Sequence, residues 1–138
     1  MQDLLLIEDD PNDVELTRRA FRRLGLDARL DVLSDGAEAV KQLDACAATG
    51  GLPKAVFLDL KLPGMSGIDV LRTIRRNGRL SSLPVVILTS SGLLADITAC
   101  YEHGANSYVV KPVDPGEFRR VVETLGLYWG EMNQVKLD

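Results

Sequence analysis

The sequence predicts an α/β fold in which a parallel β-sheet is covered by helices on both faces. Three observations support this prediction. Short apolar segments, several of them rich in valine and isoleucine, alternate with amphipathic segments of helical length. This strand–helix unit occurs five times in succession, which favours parallel strands joined by crossover helices. The 138 residues suit one domain with a single core, since 46% are hydrophobic and 26% are charged.

The five apolar segments are too short to be buried helices and are interpreted as strands. The first, third and fourth are continuously apolar, as expected for strands buried on both faces. The second alternates with charged residues and the fifth is short, which favours positions at the sheet edges. The resulting strand order, 2-1-3-4-5, is that of a flavodoxin-like, doubly wound (βα)5 fold. The predicted strands are Leu4–Ile7, Leu30–Leu33, Ala55–Leu58, Val85–Leu88 and Tyr108–Val110.

The helices are predicted from capping residues and from the spacing of apolar side chains. Asp10 is a plausible N-cap of the first helix, with Pro11 at its first position. Asp13 lies near the positive end of the dipole of this helix, and Gly25 follows its end. The predicted core-facing residues, helix by helix, are Val14, Thr17, Phe21 and Leu24; Val40 and Leu43; Ile68, Leu71 and Ile74; Leu94, Ile97 and Tyr101; and Phe118, Val121, Val122, Leu125 and Trp129.

Polar residues follow four of the strands, at the edge of the sheet where ligands bind in this fold. Glu8 and Asp9 follow strand 1, Asp59 follows strand 3, Thr89 strand 4 and Lys111 strand 5. The three carboxylates would raise one another's pKa unless a cation neutralised them, and Mg²⁺ prefers carboxylate ligands. A cation, a lysine and a threonine together can hold a phosphoryl group. The sequence therefore predicts a Mg²⁺-dependent phosphoryl site.

The same residues carry a resemblance to a known family. The segments "LLIEDDPND", "VFLDLKLPGMSGIDVL", "VVILTSS" and "GANSYVVKP" follow one another in this order. The resemblance rests mainly on two features: the D-x-x-L-P-x-x-x-G stretch from Asp59 to Gly67, and the pair Lys111 and Pro112. The chain resembles the receiver domain of bacterial response regulators. The resemblance implies a receiver domain over residues 1–127 and a C-terminal extension over residues 128–138.

The resemblance implies which residues accept a phosphoryl group and bind the metal. Asp59 would accept the group from a phosphohistidine of a sensor histidine kinase. Glu8, Asp9, Asp59 and the backbone carbonyl of Lys61 would hold Mg²⁺. The chain would then be a signalling module of a two-component phosphorelay and not an enzyme, with slow self-dephosphorylation at most.

The resemblance also implies a conformational switch. Thr89, Ser90 and Lys111 would lie against the phosphoryl group, and the small side chain of Ser90 leaves access to it. Tyr108 would change rotamer when Thr89 moves towards the phosphate, which would reshape the face formed by helix 4, strand 5 and helix 5. The Lys111–Pro112 peptide bond would be cis.

The end of the chain narrows the resemblance further. The tail "LGLYWGEMNQV", together with "TSS" after strand 4, resembles the small regulators that partner bacterial phytochromes. Tyr128 and Trp129 either fold back on the core or contribute to a homodimer interface. A histidine kinase of the phytochrome type is therefore one candidate partner. The alternative is an adaptor with the same fold that acts without phosphorylation.

Other classes of protein fit the sequence less well. The net charge of −4 argues against nucleic-acid binding. No apolar segment approaches the length of a membrane span and the start is not a signal peptide, which together favour a cytoplasmic protein. A haloacid-dehalogenase-type phosphatase needs a second acid two residues after its nucleophile, where this chain has Lys61. There is no G-x-x-x-x-G-K-[ST] or G-x-G-x-x-G motif for nucleotide chemistry.

Overall fold

The chain folds into a five-stranded parallel sheet with helices on both faces, as predicted. The computed structural model describes residues 1–136. The strands pair in the order β2-β1-β3-β4-β5, which confirms the predicted order. None of the helices in the described part is long and apolar enough to cross a membrane. The elements are β1 (Leu4–Ile7), α1 (Pro11–Arg23), β2 (Leu30–Leu33), α2 (Gly36–Thr49), β3 (Ala55–Leu58), α3 (Gly67–Arg76), β4 (Val85–Thr89), α4 (Leu94–Glu102), β5 (Ser107–Val110) and α5 (Pro115–Leu127).

The two faces of the sheet contribute to two separate hydrophobic clusters. Alternate residues of a strand point to opposite faces, so Leu5 and Ile7 of β1 join one cluster while Leu4 and Leu6 join the other. Every residue of β1, β3 and β4 is buried, whereas β5 is half-buried or exposed. This difference explains why the apolar content of the strands predicted which of them lie at the edges.

The inward face of α4 differs from the prediction. Leu94 is 77% exposed and Tyr101 is 50% exposed, whereas Cys100 is buried in the first cluster. The prediction was wrong because α4 carries apolar residues all round its circumference, so that their spacing does not define one face.

A short π-helical turn, Tyr128–Met132, follows α5 and lies against the amino-terminal edge of the sheet. The guanidinium of Arg29 donates to the carbonyl of Gly130 at 2.9 Å and also binds Glu131. The ammonium of Lys54 donates to the same Gly130 carbonyl at 3.1 Å. Because Arg29 and Lys54 directly precede β2 and β3, these bonds fix the turn at the edge opposite the acidic residues.

The two aromatic residues of this turn have different environments. Trp129 is half-buried and packs against the second hydrophobic cluster, whereas Tyr128 is 44% exposed. Their rings meet edge to face at 5.0 Å between centroids. Trp129 therefore folds back on the core, and Tyr128 stays available for other contacts. Residues 137 and 138 of the expected extension lie outside the described residues.

Candidate functional site

Three carboxylates meet at the carboxyl edge of the sheet, where the sequence predicted them. Glu8 and Asp59 are buried, with 2% and 7% of their surface exposed, and Asp9 is exposed. One carboxylate oxygen from each of the three lies within 4.8 Å of the others. Such a set of oxygen donors fits a hard divalent cation. The geometry therefore agrees with the predicted metal site.

Strand pairing brings these acids together. β1 and β3 are neighbours in register, with Ile7 opposite Leu58, so the residues that follow them are also adjacent. The N–H of Asp59 donates to the carbonyl of Ile7 at 3.1 Å. The carboxylate of Glu8 accepts from the N–H of Asp9 at 3.1 Å, which holds the loop after β1 close to the site. Asp10 stands apart and caps α1 as predicted, accepting from backbone N–H groups of the first turn.

Gly67 packs directly against the backbone that carries Asp59. A Cβ atom at this position would lie 2.2 Å from the carbonyl oxygen of Asp59 and 2.6 Å from the Cα of Leu60. The N–H of Gly67 donates to the carbonyl of Leu60 at 3.0 Å. The absence of a side chain at Gly67 therefore lets α3 begin against the end of β3.

Lys111 crosses the edge of the sheet and binds three carboxylates. Its ammonium donates to Asp59 at 3.1 Å, to Asp13 at 2.8 Å and to Glu8, and its side chain is 8% exposed. Burial alone would lower the pKa of Lys111, but the hydrogen bonds to Asp13 and Glu8 outweigh it and raise that pKa above its usual value. Lys111 is thus held as a cation among the acids.

Asp13 is the site residue that the sequence did not reveal as such. The sequence placed it only at the positive end of the α1 dipole, whereas the structure also places its carboxylate beside Lys111. The available signal was its position: α1 begins directly after the predicted metal ligands, so a carboxylate in the first turn lies close to them.

The two buried acids have different affinities for a proton. Burial, together with a hydrogen bond to Asp59, raises the pKa of Glu8 to about 7. Burial also tends to raise the pKa of Asp59, but the hydrogen bond from Glu8 and the charge of Lys111 outweigh it and lower that pKa below its usual value. The sequence predicted that the acids raise one another's pKa unless a cation neutralises them. The pKa of Glu8 is raised, whereas at Asp59 the hydrogen bond from Glu8 and the cation Lys111 lower the pKa.

This difference predicts that the metal-free protein loses stability as the pH rises. Glu8 binds its proton more tightly in the folded state, with a pKa of about 7 against a usual value of 4.5. Between these values the unfolded chain ionises first, so the free energy of unfolding should fall from pH 5 to pH 8. Asp59 does not oppose this trend. Because its pKa is lowered from a usual value of 3.8, its ionisation changes the free energy of unfolding only at more acidic pH.

Urea denaturation in EDTA at pH 5, 6, 7 and 8 measures this slope. Mg²⁺ should remove most of it, because a cation then replaces the proton between the acids. Glu8→Gln, which cannot ionise at this position, is the control and should show a much smaller slope. A wild-type protein whose stability in EDTA is constant over this range would contradict the prediction.

Thr89, the last residue of β4, and Ser90, which follows it, have different environments. Thr89 is fully buried, and its hydroxyl makes no hydrogen bond of ordinary length among residues 1–136, although it lies close enough to Asp59 to help lower the pKa of that carboxyl. A buried hydroxyl without a partner is unfavourable, and the arrival of an anionic oxygen would satisfy it. Ser90 is exposed. The environment of Thr89 therefore suits the phosphoryl group that the sequence predicted.

Tyr108 and Lys61 border the site. The hydroxyl of Tyr108 donates to the carbonyl of Ser91 at 2.8 Å, so Tyr108 is tied to the loop that follows Thr89. The backbone N–H of Lys61 donates to the carboxylate of Asp59 at 3.4 Å, and the Lys61 side chain is exposed. Both residues are therefore linked to the predicted site through backbone groups.

The Lys111–Pro112 peptide bond is trans, like every other peptide bond in the described part of the chain. The predicted cis bond is therefore wrong in this structure. The trans form is the favoured isomer even before proline. It is also compatible with the continued pairing of β5 with β4, in which the N–H of Lys111 donates to the carbonyl of Thr89 at 2.7 Å.

Comparison with protein families gives one match over most of the chain. The model of the response regulator receiver domain matches residues 4–123. Among curated proteins, the probable methanogenesis regulatory protein FilR2 of Methanothrix harundinacea (strain 6Ac) is 40% identical over 127 residues. The match covers 91% of this chain and 82% of FilR2.

Two solved structures of response regulators share the fold over almost the whole chain. The phosphorylated cyanobacterial phytochrome response regulator RcpA has a TM-score of 0.89 and 26% identity, with 99% of both chains covered. The Mn²⁺-bound response regulator Rcp1 has a TM-score of 0.88 and 29% identity, with 99% of this chain and 100% of Rcp1 covered. These likenesses include the described tail as well as the sheet.

Proposed function

Since this chain belongs to the response regulator receiver family, we propose that it accepts a phosphoryl group on Asp59 from a sensor histidine kinase. A receiver domain is a signalling module rather than an enzyme. The observation that carries the proposal is the meeting of buried Asp59 with two further carboxylates and with Lys111 at one edge of the sheet. The phosphorylated state of the similar protein RcpA supports it.

Asp59 is suited to act as the nucleophile. One carboxylate oxygen would form a bond to phosphorus while the bond from phosphorus to the donor nitrogen breaks, which leaves an acyl phosphate on Asp59. The lowered pKa of Asp59 keeps the carboxylate ionised for this attack. Lys111, and the Thr89 hydroxyl that lacks a partner in the described chain, would then bind the phosphoryl oxygens.

A divalent cation would neutralise part of the charge that gathers at this edge. Mg²⁺ would be held by Glu8, Asp9, Asp59 and the backbone carbonyl of Lys61, and when bound it would stabilise the charge of the transferred group. The three clustered carboxylates support this assignment. The Mn²⁺-bound form of the similar protein Rcp1 supports a divalent ion in general.

Phosphorylation would be read at the face formed by α4, β5 and α5. Movement of Thr89 towards the phosphoryl group would pull on the following loop, to which Tyr108 is hydrogen-bonded. These elements carry exposed apolar residues, among them Leu94 and Tyr101 on α4 and Val110 on β5. A partner protein, or a second copy that also uses the extension over residues 128–138, would bind there. Ser90 would leave access to the phosphorylated Asp59.

A phytochrome-type histidine kinase is the partner that the comparisons favour. RcpA is a phytochrome response regulator, and it is similar to this chain over 99% of its length. We also propose that the protein acts in the cytoplasm, in a two-component pathway. Its net charge of −4 argues against nucleic-acid binding. Residues 1–127 would form the receiver domain itself.

Intact-mass spectrometry after incubation with acetyl phosphate and Mg²⁺ tests the proposal. The wild-type protein should gain the mass of one phosphoryl group, and Asp59→Asn should gain none, since an amide is not a nucleophile here. EDTA should abolish the gain, and size-exclusion chromatography of the same samples shows whether phosphorylation changes association. If folded wild-type protein gains no mass from acetyl phosphate or from a kinase donor, the adaptor without phosphorylation replaces this proposal.

A further inference from the structure

The ammonium of Lys111 already uses its full capacity to donate hydrogen bonds. A lysine ammonium has three N–H donors. In the structure these serve one carboxylate oxygen each of Glu8, Asp13 and Asp59. A phosphoryl oxygen can therefore gain a hydrogen bond from Lys111 only if it displaces or weakens one of these carboxylates.

Asp13 differs from the other two carboxylates that bind Lys111. Glu8 and Asp59 belong to the group of carboxylates that can hold a cation, whereas Asp13 does not. Within residues 1–136, Lys111 is the sole hydrogen-bonding or ion-pairing partner of the Asp13 carboxylate. A cation at the site would thus engage the other two acids and leave Asp13 holding Lys111.

The position of Asp13 sets the direction of its effect. Its side chain comes from the first turn of α1 and is 22% exposed, so water screens its charge only in part. The negative charge neutralises part of the field of Lys111 at Asp59. The Asp13 carboxylate also occupies one N–H donor of the Lys111 ammonium, to which a phosphoryl dianion would bind. Both effects oppose the binding of that dianion.

We propose that Asp13 is a positioning residue that restrains Lys111 and thereby lowers the affinity of the site for a phosphoryl group at Asp59. This inference rests on the proposed function and adds a determinant of how tightly the site binds the phosphoryl group. Asp13 and the phosphoryl oxygens would compete for the Lys111 ammonium.

The affinity for beryllofluoride, a mimic of the phosphoryl group on a carboxylate, tests the proposal. Binding is followed by ¹⁹F nuclear magnetic resonance at saturating Mg²⁺, with saturation checked for each variant. Asp13→Asn keeps the size of the side chain and removes its charge, and it should bind beryllofluoride roughly fivefold more tightly than wild type. Asp13→Glu keeps the charge and should remain close to wild type. Glu15→Gln is the matched control, because it removes an exposed charge from the same helix. The carboxylate of Glu15 pairs with Arg19 instead of Lys111.

The outcomes separate this proposal from the function on which it rests. A purely structural role of Asp13 would predict weaker binding in Asp13→Asn, so unchanged or weaker binding overturns the restraint on Lys111 while leaving the phosphoacceptor role of Asp59 in place. Equal tightening in Glu15→Gln would also overturn it, since the effect would then be one of net charge. If the wild-type protein binds no beryllofluoride, the proposed function fails and the role of Asp13 fails with it. Urea denaturation of each variant confirms that it is folded.

Discussion

Replacing Gly67 with alanine should lower the free energy of unfolding by at least about 3 kcal/mol. The added Cβ would lie 2.2 Å from the carbonyl oxygen of Asp59 and 2.6 Å from the Cα of Leu60. Both obstacles are backbone atoms of the segment that follows β3, so neither can move aside by a change of rotamer. The clash is expected to displace Asp59 from the other carboxylates as well, which would reduce the affinity for Mg²⁺.

Gly78→Ala is the matched control for this change. No atom lies within 4 Å of the place where its Cβ would stand, and its φ is not in the left-handed region. Its free energy of unfolding should stay within about 1 kcal/mol of the wild-type value. Urea denaturation followed by circular dichroism compares both variants with wild type. Equal stability of the two variants would show that the contact between Gly67 and Asp59 is not as close as described.

Replacing Lys111 with methionine should destabilise the metal-free protein by about 3 kcal/mol at pH 8. The variant keeps an apolar side chain of similar length but removes the cation that binds Glu8, Asp13 and Asp59. Two of these acids are buried, and at this pH their repulsion can no longer be relieved in full by a proton on Glu8. Mg²⁺ should restore much of the loss, because it supplies positive charge at the same place.

Urea denaturation of Lys111→Met in EDTA and in Mg²⁺ measures this effect. Lys41→Met serves as the control, since Lys41 is exposed on α2 and should change stability by less than about 0.5 kcal/mol in either condition. The stabilisation by Mg²⁺ should be larger in Lys111→Met than in wild type. A variant as stable as wild type in EDTA would mean that the three acids do not depend on this lysine.

The fold and the meeting of the site residues could be predicted because both depend on simple patterns. Continuous apolar residues in β1, β3 and β4 marked the inner strands, and the strand order then brought Glu8 and Asp59 to neighbouring strand ends. Neither step requires knowledge of how a particular side chain is oriented.

What the sequence did not predict depends on side-chain and backbone orientation. The role of Asp13 beside Lys111 depends on the rotation of α1 about its axis, and the exposure of Leu94 and Tyr101 depends on that of α4. Neither rotation follows from the order of the strands. The opposite pKa shifts of Glu8 and Asp59 likewise require the distances from each acid to Lys111.

The attachment of the C-terminal turn gives the protein a built-in optical probe. Trp129 is the only tryptophan in the chain, and its neighbour Gly130 is held by Arg29 and Lys54 at the edge of the sheet opposite Asp59. Its fluorescence emission therefore reports on the tail and not on the ions or groups bound near Asp59. A shift in emission after phosphorylation would mean that the signal had reached the opposite end of the strands, either through the sheet or through association of the tail with a partner.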